Sequence, residues 1–130
     1  MTNQELIAKA KEVMTKAYAP YSHFQVGAAL LAKDGRVFTG CNVENATYGA
    51  TICAERTAVT KAVSEGVREF EKIAIMASSG EYAAPCGICR QVLFEFMPEG
   101  KVVLWSELEG EKEFALTELL PFGFRGEDIK

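Results

Sequence analysis

Apolar side chains recur along this chain at two spacings, and the spacing predicts the secondary structure of each segment. In the first segment they follow the three-to-four-residue period of an α-helix. Thr2 and Glu5 have the spacing of a capping box at its start, and Pro20 interrupts the pattern at its end. A first helix is therefore expected from about Asn3 to Ala17.

Two extended apolar runs follow and are expected to form a β-hairpin. They extend from Phe24 to Ala32 and from Arg36 to Cys41, and the turn-forming pair Asp34-Gly35 lies between them. Gly27 lies inside the first run, where the absence of a side chain lets another element approach closely. A pair of neighbouring strands with a close packing contact is therefore predicted.

The second half of the chain alternates between helical and extended patterns. One helix begins near Cys53 and ends at Gly66, a residue type that favours helix C-termini. Another begins near Cys86 and stops at Pro98. The remaining elements are a buried strand from Lys72 to Ala77, strands from Lys101 to Trp105 and from Glu113 to Leu116, a short helix in TELLP capped by Thr117, and a terminal tail.

This order of elements favours a layered α/β fold. We predict a single domain over residues 1–130, with a central mixed β-sheet of about five strands flanked by helices. A chain of 130 residues can form one hydrophobic core and is too short for two ordinary domains. Both cysteine-containing segments precede helices, so they can meet at one edge of the sheet.

Composition and charge narrow the function classes. The chain is 48% hydrophobic and 25% charged, without an apolar run long enough to span a membrane. Its net charge of -4 and its scattered basic residues argue against nucleic acid and favour a small-molecule substrate. The opening MTNQEL does not resemble a secretory signal, so a cytoplasmic location is expected. Four cysteines in that reducing compartment indicate metal or thiol chemistry instead of disulfides.

Three of these cysteines are candidate metal ligands. Cys53 begins one helical pattern, and Cys86 and Cys89 begin another with C-x-x-C spacing. Helix N-termini help to keep sulfurs ionised, and three thiolates suit Zn²⁺. The nearby Glu55 is not needed as a ligand, so it is a candidate general acid and base beside an open metal site.

Alternatives to an open zinc site remain at this stage. Cys41 as a fourth ligand would close the site and make it structural, whereas a water ligand would make it catalytic. The C-x-x-C pair alone also occurs in redox proteins. Arg56 can donate to the sulfurs and offset the charge of three thiolates, or it can be an exposed helix arginine. Glu55 can equally be an ordinary first-turn glutamate favoured by the helix dipole.

Four stretches of the chain together resemble the zinc-dependent cytidine deaminases of the small homotetrameric type. They are APYSHFQVGAAL, GCNVENATYG, CAERTA and PCGICRQ, in that order. Related nucleobase deaminases have an H-x-E and P-C-x-x-C pattern or its three-cysteine form. The resemblance implies one Zn²⁺ per chain on Cys53, Cys86 and Cys89. It also implies that Glu55 moves a proton from the attacking water to the cytosine ring and the leaving amino group.

The resemblance also implies how a nucleoside is bound. Phe24 would flank the pyrimidine, and the backbone N–H of Ala54 would donate to its O2 carbonyl. Asn42 and Glu44 would bind ribose hydroxyls, which suits an amide and a carboxylate. The carboxylate of Glu44 would also repel a 5'-phosphate, which favours a free nucleoside over a nucleotide. Without the resemblance, Phe24 could be a core residue and residues 42–45 an ordinary polar turn.

In this family sites are completed across subunit interfaces, so a homotetramer is expected. Tyr48 and Phe124 are then candidates to enter a neighbour's site, with Phe122 as a competitor to Phe124. His23, the single histidine, is expected to be a loop residue. Blasticidin S-type deaminases share C-A-E and P-C-x-x-C and are an alternative within enzymes. A structural zinc module for protein contacts is the alternative outside enzymes.

Overall fold

A computed structural model describes residues 1–129 of the chain. Its elements alternate between strands and helices in the order that the sequence predicts. They are helix α1 (Asn3–Met14), strands β1 (Val26–Ala32) and β2 (Val37–Cys41), helix α2 (Ala54–Ser64), strand β3 (Phe70–Ala77), helix α3 (Gly87–Phe96), strands β4 (Lys101–Ser106) and β5 (Gly110–Ala115), and helix α4 (Leu116–Leu119). Short 3-10 helices cover Tyr48–Ala50 and Gly126–Ile129.

The five strands form one mixed sheet in the order β2-β1-β3-β4-β5. Strand β1 pairs antiparallel with both β2 and β3, and β4 pairs antiparallel with β5. The central pair β3 and β4 is parallel, since the chain crosses over through α3 between them. The predicted α/β class with a five-stranded mixed sheet is thereby confirmed.

Helices cover both faces of the sheet, so the central strands are buried on both sides. Side chains that alternate along β1 point to opposite faces, as the pleat requires. Ala29 and Leu31 pack with Leu6, Ile7 and Ala10 of α1. The other face forms the larger core, whose members include Ala28, Leu30, Ala58, Val59, Ile73, Ile75, Leu93, Val102 and Leu116. Helices α2, α3 and α4 therefore share the face opposite α1.

Two glycines allow helices to lie directly on the strands. A Cβ at Gly27 would lie 2.0 Å from the carbonyl oxygen of Ala10. The close approach predicted at this glycine is therefore the contact between β1 and α1. A Cβ at Gly40 would lie 2.4 Å from the amide nitrogen of Ala58 and 2.6 Å from the carbonyl oxygen of Ala54. The position of α2 on the sheet therefore depends on the missing side chain of Gly40.

Some predicted boundaries were wrong, for local reasons. The first helix has the expected Thr2–Glu5 capping box but ends at Met14, because the amides of Lys16 and Ala17 bond to carbonyls three residues earlier. Thr117 does not cap the last helix: Ala115 occupies the N-cap position, and its amide donates to Glu118.

The end of the chain is more ordered than a tail. Residues Gly126–Ile129 form a 3-10 helix, and the carbonyl oxygen of Phe124 accepts a hydrogen bond from Gln91. The expected single domain extends to Lys130, which lies outside the described residues. Among residues 1–129, no helix is both long and apolar enough to cross a bilayer.

Candidate active site

Three cysteine sulfurs meet where helices α2 and α3 begin. Cys53 is the N-cap residue of α2, Cys86 is the N-cap residue of α3, and Cys89 lies in the first turn of α3. Their Sγ atoms all lie within 4.8 Å of one another, and those of Cys86 and Cys89 are 3.4 Å apart. Within residues 1–129 this group does not include Cys41, which lies at the end of β2.

The thiols in this group hydrogen-bond to one another. Hydrogen bonding from Cys89, with a further contribution from Arg56, lowers the pKa of Cys53 to about 5. The same contact and burial raise the pKa of Cys89. Cys53 is therefore the preferred thiolate, and Cys89 keeps its proton as the donor. A divalent cation would replace the thiol protons, because metal binding to thiols releases protons.

The donor set fits zinc. Three soft sulfurs converge from two helix N-termini, whose partial positive charge favours thiolates. A tetrahedral site with three protein ligands leaves one position open for solvent or substrate. Zinc would therefore be held by Cys53, Cys86 and Cys89 in an open site.

Arg56 lies beside the sulfurs and contacts one of them directly. Its Nη2 donates to Sγ of Cys53 at 3.2 Å, and this bond raises the pKa of the guanidinium. Its Nε is buried and, in the part of the chain that the structure describes, has no hydrogen-bond partner. Arg56 is therefore a permanent positive charge against the thiolates and not a freely solvated surface arginine.

Glu55 is a buried carboxyl group next to the sulfur cluster. Its residue is only 5% exposed. Burial is the main cause that raises the pKa of Glu55 to about 7, and the nearby Cys53 thiolate adds to the increase. A carboxyl group with a pKa near neutrality can both accept and donate a proton at physiological pH. Its environment thus differs from that of an ordinary first-turn glutamate.

A cavity of about 270 Å³ opens onto this cluster. Its wall is mostly apolar, with a few polar groups, as in small-molecule sites. Strand ends, the N-terminus of α2 and the loop before α3 form the wall. The lining residues are Ser22, Phe24, Val26, Asn42, Glu44, Thr51, Cys53, Ala54, Glu55, Ile75, Ala83, Ala84 and Cys86.

The polar side chains Asn42 and Glu44 are held in place by backbone groups. Asn42 Oδ1 accepts from the amide of Val26 at 2.9 Å, and Asn42 Nδ2 donates to the carbonyl of Phe24 at 2.8 Å. Glu44 Oε1 accepts from the amides of Tyr21 and Ser22 at 3.0 and 3.1 Å. Both residues are buried, so they do not form the ordinary polar turn that the sequence also allowed.

The aromatic candidates are not all at the cavity. Phe24 lines it, and so does the first-turn residue Ala54. Tyr48 is 74% exposed and packs edge-to-face against Tyr21, with ring centroids 5.7 Å apart. Phe124 is 54% exposed and lies near α3, away from this cavity. Phe122 is fully exposed.

No role was predicted for Ser22, although it lies in one of the four motif stretches. Its hydroxyl donates to Glu44 Oε2 and accepts from the amide of Phe24 at 3.1 Å. It therefore connects two residues of the cavity wall. The only sequence feature that could have indicated this role is that Ser22 stands two residues before Phe24, a predicted substrate-binding residue. The neighbouring His23 lies in the loop before β1, as predicted, and has a left-handed backbone with φ 59°.

Comparison with known proteins gives consistent matches over the whole chain. A family model described as "Cytidine and deoxycytidylate deaminase zinc-binding region" matches residues 1–105. A cytidine deaminase of Sporosarcina psychrophila is 48% identical over 99% of this chain and 96% of its own length. Another, of Halalkalibacterium halodurans, is 50% identical over 99% of this chain and 98% of its own length.

Solved structures agree with these relatives. The crystal structure of cytidine deaminase from Burkholderia pseudomallei superposes with a TM-score of 0.90 at 48% identity, covering 95% of this chain and 100% of that one. That of the Mycobacterium tuberculosis enzyme gives a TM-score of 0.83 at 39% identity, covering 95% and 98%. The fold and the motifs therefore point to the same group of proteins.

Proposed function

Since this chain belongs to the cytidine and deoxycytidylate deaminase zinc-binding family, we propose that it deaminates cytidine and deoxycytidine by hydrolysis. Water and the nucleoside would give uridine or deoxyuridine and ammonia. The observation that supports this most is the buried Glu55, with its pKa near 7, beside three converging sulfurs at a cavity of about 270 Å³. The proposed role is in pyrimidine salvage, in the cytoplasm.

Cys53, Cys86 and Cys89 would hold one Zn²⁺ per chain. When bound, the metal supplies Lewis-acid activation of a water molecule. Three thiolates would give the site a net negative charge, which opposes that activation. The guanidinium of Arg56, 3.2 Å from Cys53, offsets this charge.

Glu55 would move the protons of the reaction. The carboxylate accepts a proton from the attacking water and passes it to ring N3. The oxygen of that water forms a bond to C4, and the bond from C4 to the amino group then breaks. Glu55 delivers the second proton of the water to the leaving amino group, so that ammonia departs. A pKa near 7 makes both directions of transfer accessible at neutral pH.

Substrate binding would use groups that still have bonding capacity. Asn42 keeps one N–H and one lone pair beyond its bonds to Val26 and Phe24, and Glu44 keeps acceptor sites beyond its bonds to Tyr21 and Ser22. These groups would bind ribose hydroxyls. The buried charge of Glu44 would also disfavour a 5'-phosphate, so free nucleosides would be preferred.

The ring of the base would be held by apolar and backbone groups. The Phe24 side chain lines the cavity and would flank the pyrimidine. The amide of Ala54, in the first turn of α2, would donate to the O2 carbonyl, because the first amides of a helix have no partner within it.

We also propose that the protein is a homotetramer whose sites are completed by neighbouring subunits. Exposed aromatic side chains near the cavity and at the C-terminal end support this, because an assembly of subunits would remove their apolar surface from water. Tyr48 and Phe124 are the expected contributors to a neighbour's site, with Phe122 as the competing aromatic. Each is more than half exposed in the single chain.

The test combines a metal assay with a turnover assay. Purified protein should contain about one zinc per chain and convert cytidine to uridine, followed by loss of the cytosine absorbance. Glu55→Gln should keep the fold and the zinc but lose activity by about 10²- to 10⁴-fold. Glu65→Gln, at the exposed end of the same helix, is the matched control and should remain active. A zinc-loaded wild-type protein without cytidine turnover would overturn the proposal.

A further inference from the structure

We propose that Arg90 is a positioning residue for the metal site, which it holds together through two backbone carbonyls. The segment Pro85–Cys89, here called the cysteine loop, contains two of the three sulfurs. Arg90 Nε donates to the carbonyl oxygen of Pro85 at 2.7 Å. Arg90 Nη1 donates to the carbonyl oxygen of Leu119 at 2.8 Å. One guanidinium thus connects the cysteine loop to the end of α4.

The bond to Pro85 fixes the start of the cysteine loop. Pro85 is fully buried and directly precedes Cys86, the N-cap residue of α3. Its carbonyl lies outside the helix and receives no amide bond from it, so it needs a donor from elsewhere. Arg90 supplies that donor from the first turn of the same helix. Pro85 and Arg90, which lie on either side of Cys86 and Cys89, are therefore held at a fixed distance from each other.

The bond to Leu119 connects the cysteine loop to an element far away in the sequence. Leu119 is the last residue of α4, whose carbonyl would otherwise lack a partner at the helix end. A planar guanidinium can donate in two directions at once, which an ammonium group cannot do with the same geometry. The C-terminal region therefore supports the metal site without contributing a ligand.

Arg90 differs from Arg56 in how it acts. Arg56 donates directly to Cys53 Sγ, so it changes the charge felt by the thiolates. Within residues 1–129, both side-chain hydrogen bonds of Arg90 go to carbonyl oxygens. Loss of Arg90 should thus loosen the geometry of Cys86 and Cys89, which increases the rate at which the metal leaves. Groups that orient metal ligands are commonly worth about 10- to 100-fold in metal affinity.

Neighbouring Gln91 provides an internal comparison. Its Nε2 donates to the carbonyl oxygen of Phe124 at 2.8 Å, so it too joins α3 to the C-terminal region. Within residues 1–129, the Gln91 side chain makes no hydrogen bond to the cysteine loop. Gln91→Leu should therefore loosen the C-terminal end and leave the geometry of the metal site largely unchanged.

The experiment measures zinc release from the purified, zinc-loaded protein into excess of a pyridylazo chelator. Arg90→Met should release zinc at least about tenfold faster than wild type, while its circular dichroism at the same temperature stays native. Arg90→Lys keeps the charge but reaches one carbonyl at a time, so its release rate should be intermediate. Gln91→Leu and Arg68→Met, the latter an exposed arginine before β3, should release zinc within about twofold of wild type.

A second readout separates positioning from a general loss of stability. In the zinc-loaded state, Arg90→Met should lower kcat while KM for cytidine stays within about threefold, because Arg90 does not line the cavity. If Arg90→Met does not fold, Arg90→Lys provides the test. Zinc release from Arg90→Lys at the same rate as from Arg68→Met would overturn the proposal. The inference rests on the proposed zinc site, yet a protein that binds zinc without deaminating cytidine would refute only the proposed function. A wild-type protein that binds no zinc would refute both.

Discussion

The guanidinium of Arg56 lies 3.2 Å from the sulfur of Cys53, one helical turn earlier on the same face of α2. The two residues are separated by three positions, a spacing at which helix side chains meet. The start of α2 therefore provides a metal ligand and the charge that balances it. Glu55, which lies between them in the sequence, is buried at the same helix end.

Replacing Arg56 by Gln should weaken catalysis without unfolding the protein. Loss of the positive charge leaves three thiolates uncompensated, so activation of water becomes less favourable, and kcat should fall by about 10- to 100-fold. Since Arg56 also helps to lower the pKa of Cys53, zinc uptake by the variant should need a higher pH. Turnover and zinc binding as functions of pH measure the two effects. Arg68→Gln is the control, and an Arg56→Gln enzyme with wild-type kcat would contradict this role.

Replacing Cys41 by Ser should leave the zinc content unchanged. Cys41 pairs with Gly27 in the sheet and is not part of the sulfur group. Cys86→Ser removes one of the three converging sulfurs and is the matched comparison. Zinc analysis of both purified variants should find about one metal per chain for Cys41→Ser and much less for Cys86→Ser. Loss of zinc from Cys41→Ser would favour a closed structural site.

Replacing Ser22 by Ala should change how substrate binding depends on pH. The side-chain hydrogen bond from Ser22 is the main cause that lowers the pKa of Glu44 below 4.5. Because this pKa is lower in the folded state than in the unfolded chain, the carboxylate stabilises the fold above pH 4.5. That contribution disappears as the pH falls through the folded-state value. The alanine variant should bring the pKa of Glu44 back towards 4.5.

The measurement for Ser22→Ala is the KM for cytidine between about pH 4 and pH 6. The acidic rise in KM should begin at a higher pH in the variant than in wild type. At neutral pH, KM should increase by roughly three- to tenfold, because Glu44 loses one of the bonds that orient it. Ser64→Ala, at the exposed end of α2, is the control. If KM depended on pH in the same way for Ser22→Ala and wild type, Ser22 would not determine the protonation state of Glu44.

The elements of the fold were predictable because each has a local signal. The capping pair Thr2 and Glu5 and the turn Asp34-Gly35 depend only on neighbouring residues, and the structure confirms both. Thr117 was misplaced because residues that can cap a helix also occur within its first turn. The end of the chain was taken for a tail because the bond from Gln91 to Phe124 spans 33 residues, which no local pattern reveals.

The candidate metal ligands were easier to predict than the residues that hold the site in place. The spacing of Cys53, Cys86 and Cys89 indicated a metal site, and the structure brings the three sulfurs together. The roles assigned to individual residues stay predictions until variants are measured. Ser22 was not identified because its side-chain partner, Glu44, lies 22 positions away in the sequence. Arg90 was not identified because its partners are backbone carbonyl groups. Such groups are present in every residue and leave no trace in a sequence.

Replacing Gly40 by Ala should displace the catalytic end of α2. The added Cβ would lie 2.4 Å from the amide nitrogen of Ala58 and 2.6 Å from the carbonyl oxygen of Ala54, both backbone atoms that cannot rotate away. Helix α2 must move away from the sheet, at a cost of about 1 to 3 kcal/mol in the free energy of unfolding. Because α2 begins with Cys53, Ala54 and Glu55, the same displacement should lower activity. Denaturant unfolding and cytidine turnover measure the two effects.

Gly49→Ala is the matched control for Gly40→Ala. A Cβ at Gly49 would meet no atom within 4 Å, so its free energy of unfolding should change by less than about 0.5 kcal/mol. The comparison separates the close approach of α2 from the general effect of adding a methyl group. If Gly40→Ala were as stable and as active as Gly49→Ala, the contact between β2 and α2 would not determine the position of Glu55.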